Sequence, residues 1–266
     1  MSGDLPLEAG QVSLSIQGQV ATLTFDRPAA RNAMTWAMYE QLATHCRNLA
    51  SDGGAGIRVV VMRGAGGEAF VAGTDIAQFR QFTSGDDGVA YEGRIDEGVS
   101  LVEKLPMPTI AVIDGWCVGG GLAIATACDF RLATPNARFG VPIARTLGNT
   151  LSALNLARLR AAWGLQPVRR MLLLAQVLGA DAALACGFLE GIYDADQLHE
   201  AVVALGDKLA ALAPVTQTVV KEALRRQTVV AVADTDDLVR VCYGSNDFHE
   251  GVEAFVERRP PVWTGD

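Results

Sequence analysis

The sequence predicts an α/β protein in which a mostly parallel sheet is followed by a long helical region. Short, nearly continuous apolar runs at 57–62 and 109–113 are typical of strands buried on both faces of a sheet. Helical periods separate these runs, and strands that alternate with helices favour parallel pairing. After Leu151 the period remains helical almost as far as Phe255.

The chain begins with a hairpin and a helix. Apolar and polar residues alternate over 12–16 and 20–25 around a turn, which predicts two antiparallel strands. From 34 to 49 the apolar residues recur at helical spacing.

A second helix is predicted from Thr74, because Asp75 and Gln78 supply capping residues. The segment 83–98 is glycine-rich and acidic without a clear period, and we expect it to be the most mobile part of the chain.

Three glycines at 119–121 precede an apolar helix at 122–127, and a strand follows at 129–133. No polar linker interrupts the helical remainder. We therefore divide the chain into an α/β core, residues 1–200, and a C-terminal helical region, residues 201–266, that packs on the core.

Composition excludes several classes of protein. The 266 residues carry 30 acidic and 22 basic side chains, so a basic nucleic-acid surface is not expected. The five cysteines form no C-x-x-C pair and the three histidines are far apart, which argues against disulfides and metal sites. The sequence shows neither a signal-peptide pattern nor 18 consecutive apolar residues. We expect a cytoplasmic protein without a membrane, metal or nucleic-acid partner.

Glycine clusters offer three candidate binding loops. The run GAGGEA at 64–69 fits the dinucleotide pattern, but extended chain follows it where a helix is required, so we reject NAD binding. The loops around Ala72 and Gly120 each lead into a helix, and free N–H groups at a helix start attract negative charge. Taken singly, each loop is explained better by helix–strand packing.

The order of short motifs resembles the enoyl-CoA hydratase/isomerase (crotonase) superfamily over nearly the whole chain. The motifs are FDRP at 25–28, NAM at 32–34, RGAG at 63–66, AFVAGTDI at 69–76, PTIAVIDG at 108–115, GGG at 119–121, ACDFR at 127–131, ARFG at 137–140 and EGVEAF at 250–255.

This resemblance implies a crotonase-like spiral of ββα units whose C-terminal helices form trimers, usually paired into hexamers. It implies an acyl-CoA substrate and no other cofactor, since coenzyme A is part of the substrate. By position, the backbone amides of Ala72 and Gly120 resemble the two oxyanion-hole donors that hold a thioester enolate. The residues that resemble the CoA-binding edge are Arg27, Arg31, Ala33, Ala72, Asp75 and Ile76, with Arg258 or Arg259 of a neighbouring subunit as further phosphate ligands.

Two departures from the family pattern bear on the reaction. Family hydratases carry one glutamate three residues after the middle glycine and a second after the Phe-Gly-x-Pro proline. Here those positions hold Ala123 and Ile143, which cannot exchange protons. Each lost acid or base usually costs about 10²–10⁴ in rate.

Other polar residues are candidates to replace these glutamates. Arg145 could hold an anionic group and Asn149 a water, although a loop-fixing hydrogen bond explains either residue as well. One of the acids Glu92, Asp96 and Glu97 could supply a carboxylate to the acyl pocket, although three acids together fit a solvated helix face better. Tyr243 and His249, near the C-terminal helix, are weaker candidates for residues of the pocket.

The sequence therefore predicts an acyl-CoA enzyme of the hydratase/isomerase type that stabilises an enolate, with ordinary hydration in question. Double-bond isomerisation and decarboxylation need fewer groups and remain alternatives. A non-catalytic acyl-CoA-binding protein is the alternative outside the enzymes.

Overall fold

The computed structural model describes residues 10–51, 54–230 and 232–265, and these form two sheets surrounded by helices. The larger sheet has the order β1-β2-β3-β5-β7-β10. Its first pair is the antiparallel hairpin predicted from the alternation, and each later neighbour pairs in parallel. Its strands are β1 Gln11–Gln17, β2 Val20–Asp26, β3 Val59–Gly64, β5 Thr109–Ile113, β7 Phe130–Ala133 and β10 Gly191–Ile192.

A smaller sheet collects the second strand of each successive unit. Its order is β4-β6-β8-β9, with strands β4 Ala69–Val71, β6 Trp116–Val118, β8 Arg138–Gly140 and β9 Leu178–Gly179. The chain thus passes three times from the larger sheet to the smaller sheet and then into a helix. This is the ββα spiral that the resemblance implied.

Helices cover the outer faces of the sheets. They are α1 Trp36–Leu49, α2 Gly85–Glu103, α3 Gly120–Ala127, α4 Ile143–Thr146, α5 Ala153–Trp163, α6 Leu165–Leu173, α7 Ala180–Ala185, α8 Ala195–Ala210, α9 Pro214–Val229, α10 Asp236–Tyr243 and α11 Asn246–Glu257. The helix predicted from Thr74 is a 3₁₀ helix, Ile76–Gln81, whose N-cap is Asp75.

The segment expected to be mobile is instead the long helix α2, so that prediction is wrong. The Asp87 carboxylate accepts the Thr83 and Ser84 amides at 2.8 and 2.9 Å and fixes the start of the helix. Its glycines obscured the helical period but allow close packing, because a Cβ on Gly88 would overlap the ring of Tyr243 in α10.

The C-terminal helices differ in how they pack. Helix α8 lies on the larger sheet and spans the boundary proposed at residue 200. None of the residues of α9 is buried by the described part of the chain, and Val215, Val219 and Leu224 are exposed on it. Contact of this region with neighbouring subunits stays a prediction. Across the described residues, no helix combines the length and apolar character needed to cross a bilayer.

Asn32 joins the loop after β2 to the turn between β3 and β4. This fully buried side chain accepts the Arg27 amide at 2.9 Å through Oδ1. Its Nδ2 donates to the carbonyls of Ala65 and Ala69 at 2.9 and 2.8 Å. Asn32 also has a left-handed φ of 58°, which asparagine tolerates better than most residues. One side-chain amide thereby fixes the loop after β2, which borders the cavity described below, to the turn before β4.

We predict that Asn32→Ala lowers the free energy of unfolding by about 2–4 kcal/mol, because it leaves buried backbone groups without partners and strains the left-handed position. Urea unfolding would measure this change. Asn48→Ala, at an exposed position of α1, is the matched control and should stay within about 0.5 kcal/mol of the unsubstituted protein. Equal effects of the two substitutions would contradict the stabilising role of the Asn32 side-chain hydrogen bonds.

Candidate active site

A cavity of about 780 Å³ lies between the start of α3 and helices α2 and α5. Its outer end carries Arg31, whose side chain is 58% exposed, and its inner end reaches the buried residues Ile95 and Leu159. Apolar side chains form most of the wall. The cavity therefore offers a polar entrance and an apolar interior.

The residues predicted to bind coenzyme A all border this cavity. They are Arg27, Arg31, Ala33, Ala72, Asp75 and Ile76. The Arg27 guanidinium is paired with Asp75 at 2.8 Å, so it also fixes the loop that carries Asp75. Arg31 lies 3.7 Å from Glu68. Arg258 of the same chain lines the cavity, whereas Arg259 is paired with Glu250 at 2.6 Å.

The predicted oxyanion role of Ala72 is wrong, because its amide donates to the Arg31 carbonyl at 3.0 Å. Two residues further on, Thr74 forms a parallel bridge with Met34. The Met34 amide donates to Gly73 at 2.8 Å, and the Asp75 amide donates to Met34 at 2.9 Å. These bonds turn the Thr74 amide to the opposite side, where it contacts no acceptor among the described residues.

Gly120 is the first residue of α3, directly after the glycine loop. Helix geometry gives its amide no intrahelical acceptor, and it has none elsewhere among residues the structure describes. The two loops are close, because a Cβ built on Gly120 would lie 3.3 Å from Thr74 Oγ1 and 2.5 Å from Tyr39 Oη. Tyr39 Oη is in turn hydrogen-bonded to Thr74 Oγ1 at 2.8 Å.

The two positions that resemble the family's glutamates both border the cavity. Ala123 lies one turn into α3 and Ile143 is the first residue of α4. Both are half-buried and apolar. Neither of these positions supplies a proton-transferring group to the cavity.

The two proposed replacements differ in position. Arg145 lies on the exposed face of α4 and does not line the cavity, so its predicted role as an anion ligand is wrong. Asn149 does line the cavity, and its Nδ2 donates to Tyr243 Oη at 2.9 Å. The same asparagine has a buried Oδ1 without a partner among the described residues.

The prediction that Glu92 lies on a solvated helix face is wrong. Glu92 is 4% exposed and lines the cavity. Its Oε1 accepts the Tyr243 hydroxyl at 2.8 Å, and its Oε2 accepts the Ser152 amide at 2.7 Å. Glu97 is exposed, as that expectation required. Because α2 is a helix, Glu92 lies on its buried face and Glu97 on its exposed face.

Burial raises the pKa of Glu92 from 4.5 to about 7, and the nearby Asp96 carboxylate acts in the same direction. The hydrogen bonds from Tyr243 and Ser152 and the nearby side-chain amide of Asn155 oppose this rise. Glu92 therefore exchanges its proton near neutral pH, which suits a general acid or base.

The ββα spiral and a cavity at the start of a glycine-led helix define a protein of the crotonase fold. A family model described as enoyl-CoA hydratase/isomerase matches residues 15–266. A short-chain-enoyl-CoA hydratase of Clostridium acetobutylicum is 29% identical over 259 residues, which cover 95% of this chain and 97% of that protein.

Solved structures agree with this match. An enoyl-CoA hydratase/carnithine racemase from Magnetospirillum magneticum is 32% identical, with a TM-score of 0.78 and 96% of each chain covered. Methylmalonyl-CoA decarboxylase in complex with 2-nitronate-propionyl-CoA is similar in fold alone, with a TM-score of 0.87, 24% identity and coverage of 96% of this chain and 98% of that one.

The chain belongs to the enoyl-CoA hydratase/isomerase family. It is thus an acyl-CoA enzyme of the lyase or isomerase type, and the predictions of family, fold and enzyme class are confirmed. Within the described ranges, no group of three histidine, cysteine or acidic side chains is arranged to hold a metal ion.

The raised pKa of Glu92 predicts a pH-dependent stability. The folded protein binds this proton more tightly than the unfolded chain, so the contribution of Glu92 to the free energy of unfolding falls as pH rises from 4.5 to about 7. We expect the unsubstituted protein to lose about 3 kcal/mol of its free energy of unfolding across this window. The Glu92→Gln variant should not show this loss. Thermal unfolding at pH 5 and pH 8 would measure it.

The matched control is Glu97→Gln, which changes the same chemical group on the exposed side of α2. Its stability should follow that of the unsubstituted protein at both pH values. If Glu92→Gln did the same, the assignment of a raised pKa to Glu92 would be wrong.

Proposed function

We propose that this enzyme converts acyl-CoA thioesters through an enolate whose oxygen is held by the backbone amides of Thr74 and Gly120. The observation that supports this proposal is that both amides lack acceptors among the described residues and belong to adjacent loops of one cavity. Two converging donors stabilise developing negative charge, and each is worth about 10²–10³ in rate.

The substrate enters with its coenzyme A portion at the arginine-bearing end. The exposed Arg31 and the cavity-lining Arg258 are suited to phosphate groups, while the pair of Arg27 and Asp75 fixes the loop beside them. The acyl chain occupies the apolar interior. Coenzyme A is part of the substrate, and no further cofactor takes part in the reaction.

The apolar residues Ala123 and Ile143 exclude the two-glutamate arrangement of the family's hydratases. The reaction at C2 therefore depends on a different proton-transferring group. Isomerisation, decarboxylation and hydration share the same enolate, so the two amides support each of these reactions.

The direct test follows C2 of the substrate in deuterated water. Incubation with butyryl-CoA, crotonyl-CoA, hex-3-enoyl-CoA and methylmalonyl-CoA should give deuterium at C2 or turnover of at least one thioester, read by mass spectrometry. Calorimetric binding without exchange or turnover across the panel would instead indicate a non-catalytic acyl-CoA-binding protein.

We predict that Gly120→Ala lowers kcat about 10²–10³-fold, because its Cβ would meet Tyr39 Oη and move the Thr74 loop away from α3. Adding Tyr39→Phe removes that hydroxyl and leaves the nearest ring carbon at 3.8 Å. The double variant should recover most of the lost activity.

Gly98→Ala, at a position of α2 with open space, is the control for an added methyl group. Its kcat should remain unchanged. Failure of Tyr39→Phe to restore activity in the double variant would refute the proposed steric cause.

A further inference from the structure

The cavity contains only two carboxyl groups among the residues that the structure describes, Asp75 and Glu92. Asp75 is paired with Arg27 and caps the 3₁₀ helix, so it acts in the entrance loop. Glu92 lies towards the buried end, in the same cavity as the Thr74 and Gly120 amides. It is therefore the carboxyl group available to an acyl chain in the interior.

The hydrogen bonds of Glu92 fix the carboxylate without saturating it. A carboxylate has about four acceptor sites, and the contacts from Tyr243 and Ser152 occupy one on each oxygen. No arginine or lysine is bonded to Glu92 within the described chain. The nearby Arg158 is instead paired with Asp96 at 3.1 Å and Glu103 at 2.8 Å.

Two amide side chains of the same cavity have unused hydrogen-bonding capacity. Asn155 is 2% exposed, and its Nδ2 lies near the Glu92 carboxyl group, whose pKa it lowers, without an acceptor at normal hydrogen-bond distance among the described residues. Asn149 Oδ1 is a buried acceptor without a donor there. Buried polar atoms are usually paired, so an unpaired donor and an unpaired acceptor beside a carboxylate form a site for a hydroxyl group or a water molecule.

We propose that Glu92 is the catalytic carboxyl group of this enzyme, and that Asn149 and Asn155 bind the water that it activates for addition to a 2-enoyl-CoA. The proposal rests on the enolate chemistry proposed above. It assigns hydration to one glutamate on α2, in place of the two glutamates absent at Ala123 and Ile143.

The step balances with one carboxylate. The water donates one proton to Glu92, and its oxygen forms a bond to C3 while the C2–C3 π electrons move towards C1. The thioester oxygen carries the resulting negative charge between the Thr74 and Gly120 amides. When the enolate collapses, C2 takes the proton from Glu92, so that H and OH have been added and the carboxylate is restored.

The test compares crotonyl-CoA hydration by the unsubstituted enzyme, Glu92→Gln and the surface control Glu97→Gln. We expect Glu92→Gln to lower kcat about 10²–10⁴-fold with little change in KM, and Glu97→Gln to match the unsubstituted enzyme. Equal activity of the three proteins would overturn the role of Glu92 while leaving the enolate proposal intact. Absence of exchange or turnover in the unsubstituted enzyme would overturn the enolate proposal itself.

Tyr243→Phe supplies a second readout that keeps Glu92 in place. Loss of the hydroxyl removes a bond that lowers the pKa of Glu92, so the rise of kcat/KM with pH should move upwards from about 7. The other charged or titratable groups around Glu92 are Tyr39, Tyr91, Asp96, Arg158 and Cys242. Burial raises the pKa of Tyr39, Tyr91, Cys242 and Tyr243 above the neutral range.

An unchanged pH midpoint in Tyr243→Phe would overturn the proposed coupling of Tyr243 to the reacting carboxylate. Hex-3-enoyl-CoA separates proton transfer from water addition. Isomerisation that depends on Glu92, without hydration of crotonyl-CoA, would overturn the water site formed by Asn149 and Asn155.

Discussion

The main-chain bridge between Met34 and Thr74 is the constraint on which the site depends. In a parallel bridge, the residue opposite Met34 directs its own amide away from the bonded partner. The Gly73 carbonyl and the Asp75 amide are both bonded to Met34, whereas the Thr74 amide is directed away from Met34. Asn32 supports this arrangement by holding the preceding loop against the turn before β4. The lack of an acceptor for the Thr74 amide among the described residues is thus a consequence of backbone register.

This register explains which parts of the site could be predicted from the sequence. Motif order located both loops, and the glycine that begins α3 was identified because a helix start leaves amides unbonded. Along extended backbone, however, successive amides point to opposite sides. Which of them donate hydrogen bonds within the protein depends on the segment that lies beside the backbone. The Arg31 carbonyl consumes the Ala72 amide, and no local pattern around Ala72 reveals that distant partner.

The same reasoning explains the larger error at α2. Strands such as β3 were predictable because their apolar runs directly reflect burial on both faces. In α2 Gly88 replaces a large apolar residue that would mark the buried face, since Tyr243 of α10 fills the space beside it. Sequence composition therefore indicated a solvated acidic segment. The buried positions of Tyr91, Glu92 and Ile95 become evident only when α10 is in place.

The arrangement of charges around α2 also favours Glu92 as the reacting group over its acidic neighbours. Arg158 is almost fully buried and binds Asp96, Glu103 and Ser100, so those two acids share a cationic partner inside the protein, although burial still raises the pKa of Asp96. Glu92 receives only neutral donors. A buried carboxylate without a cationic partner destabilises the fold, and Glu92 is such a group. Glu97, five residues further along the same helix, is exposed to solvent and does not carry this cost. Glutamine could accept one of the bonds from Ser152 and Tyr243 through its single side-chain oxygen, and it would avoid the cost of a buried charge. The carboxylate contributes what an amide cannot, a proton that can be taken up and returned near neutral pH at the inner end of an acyl-CoA cavity.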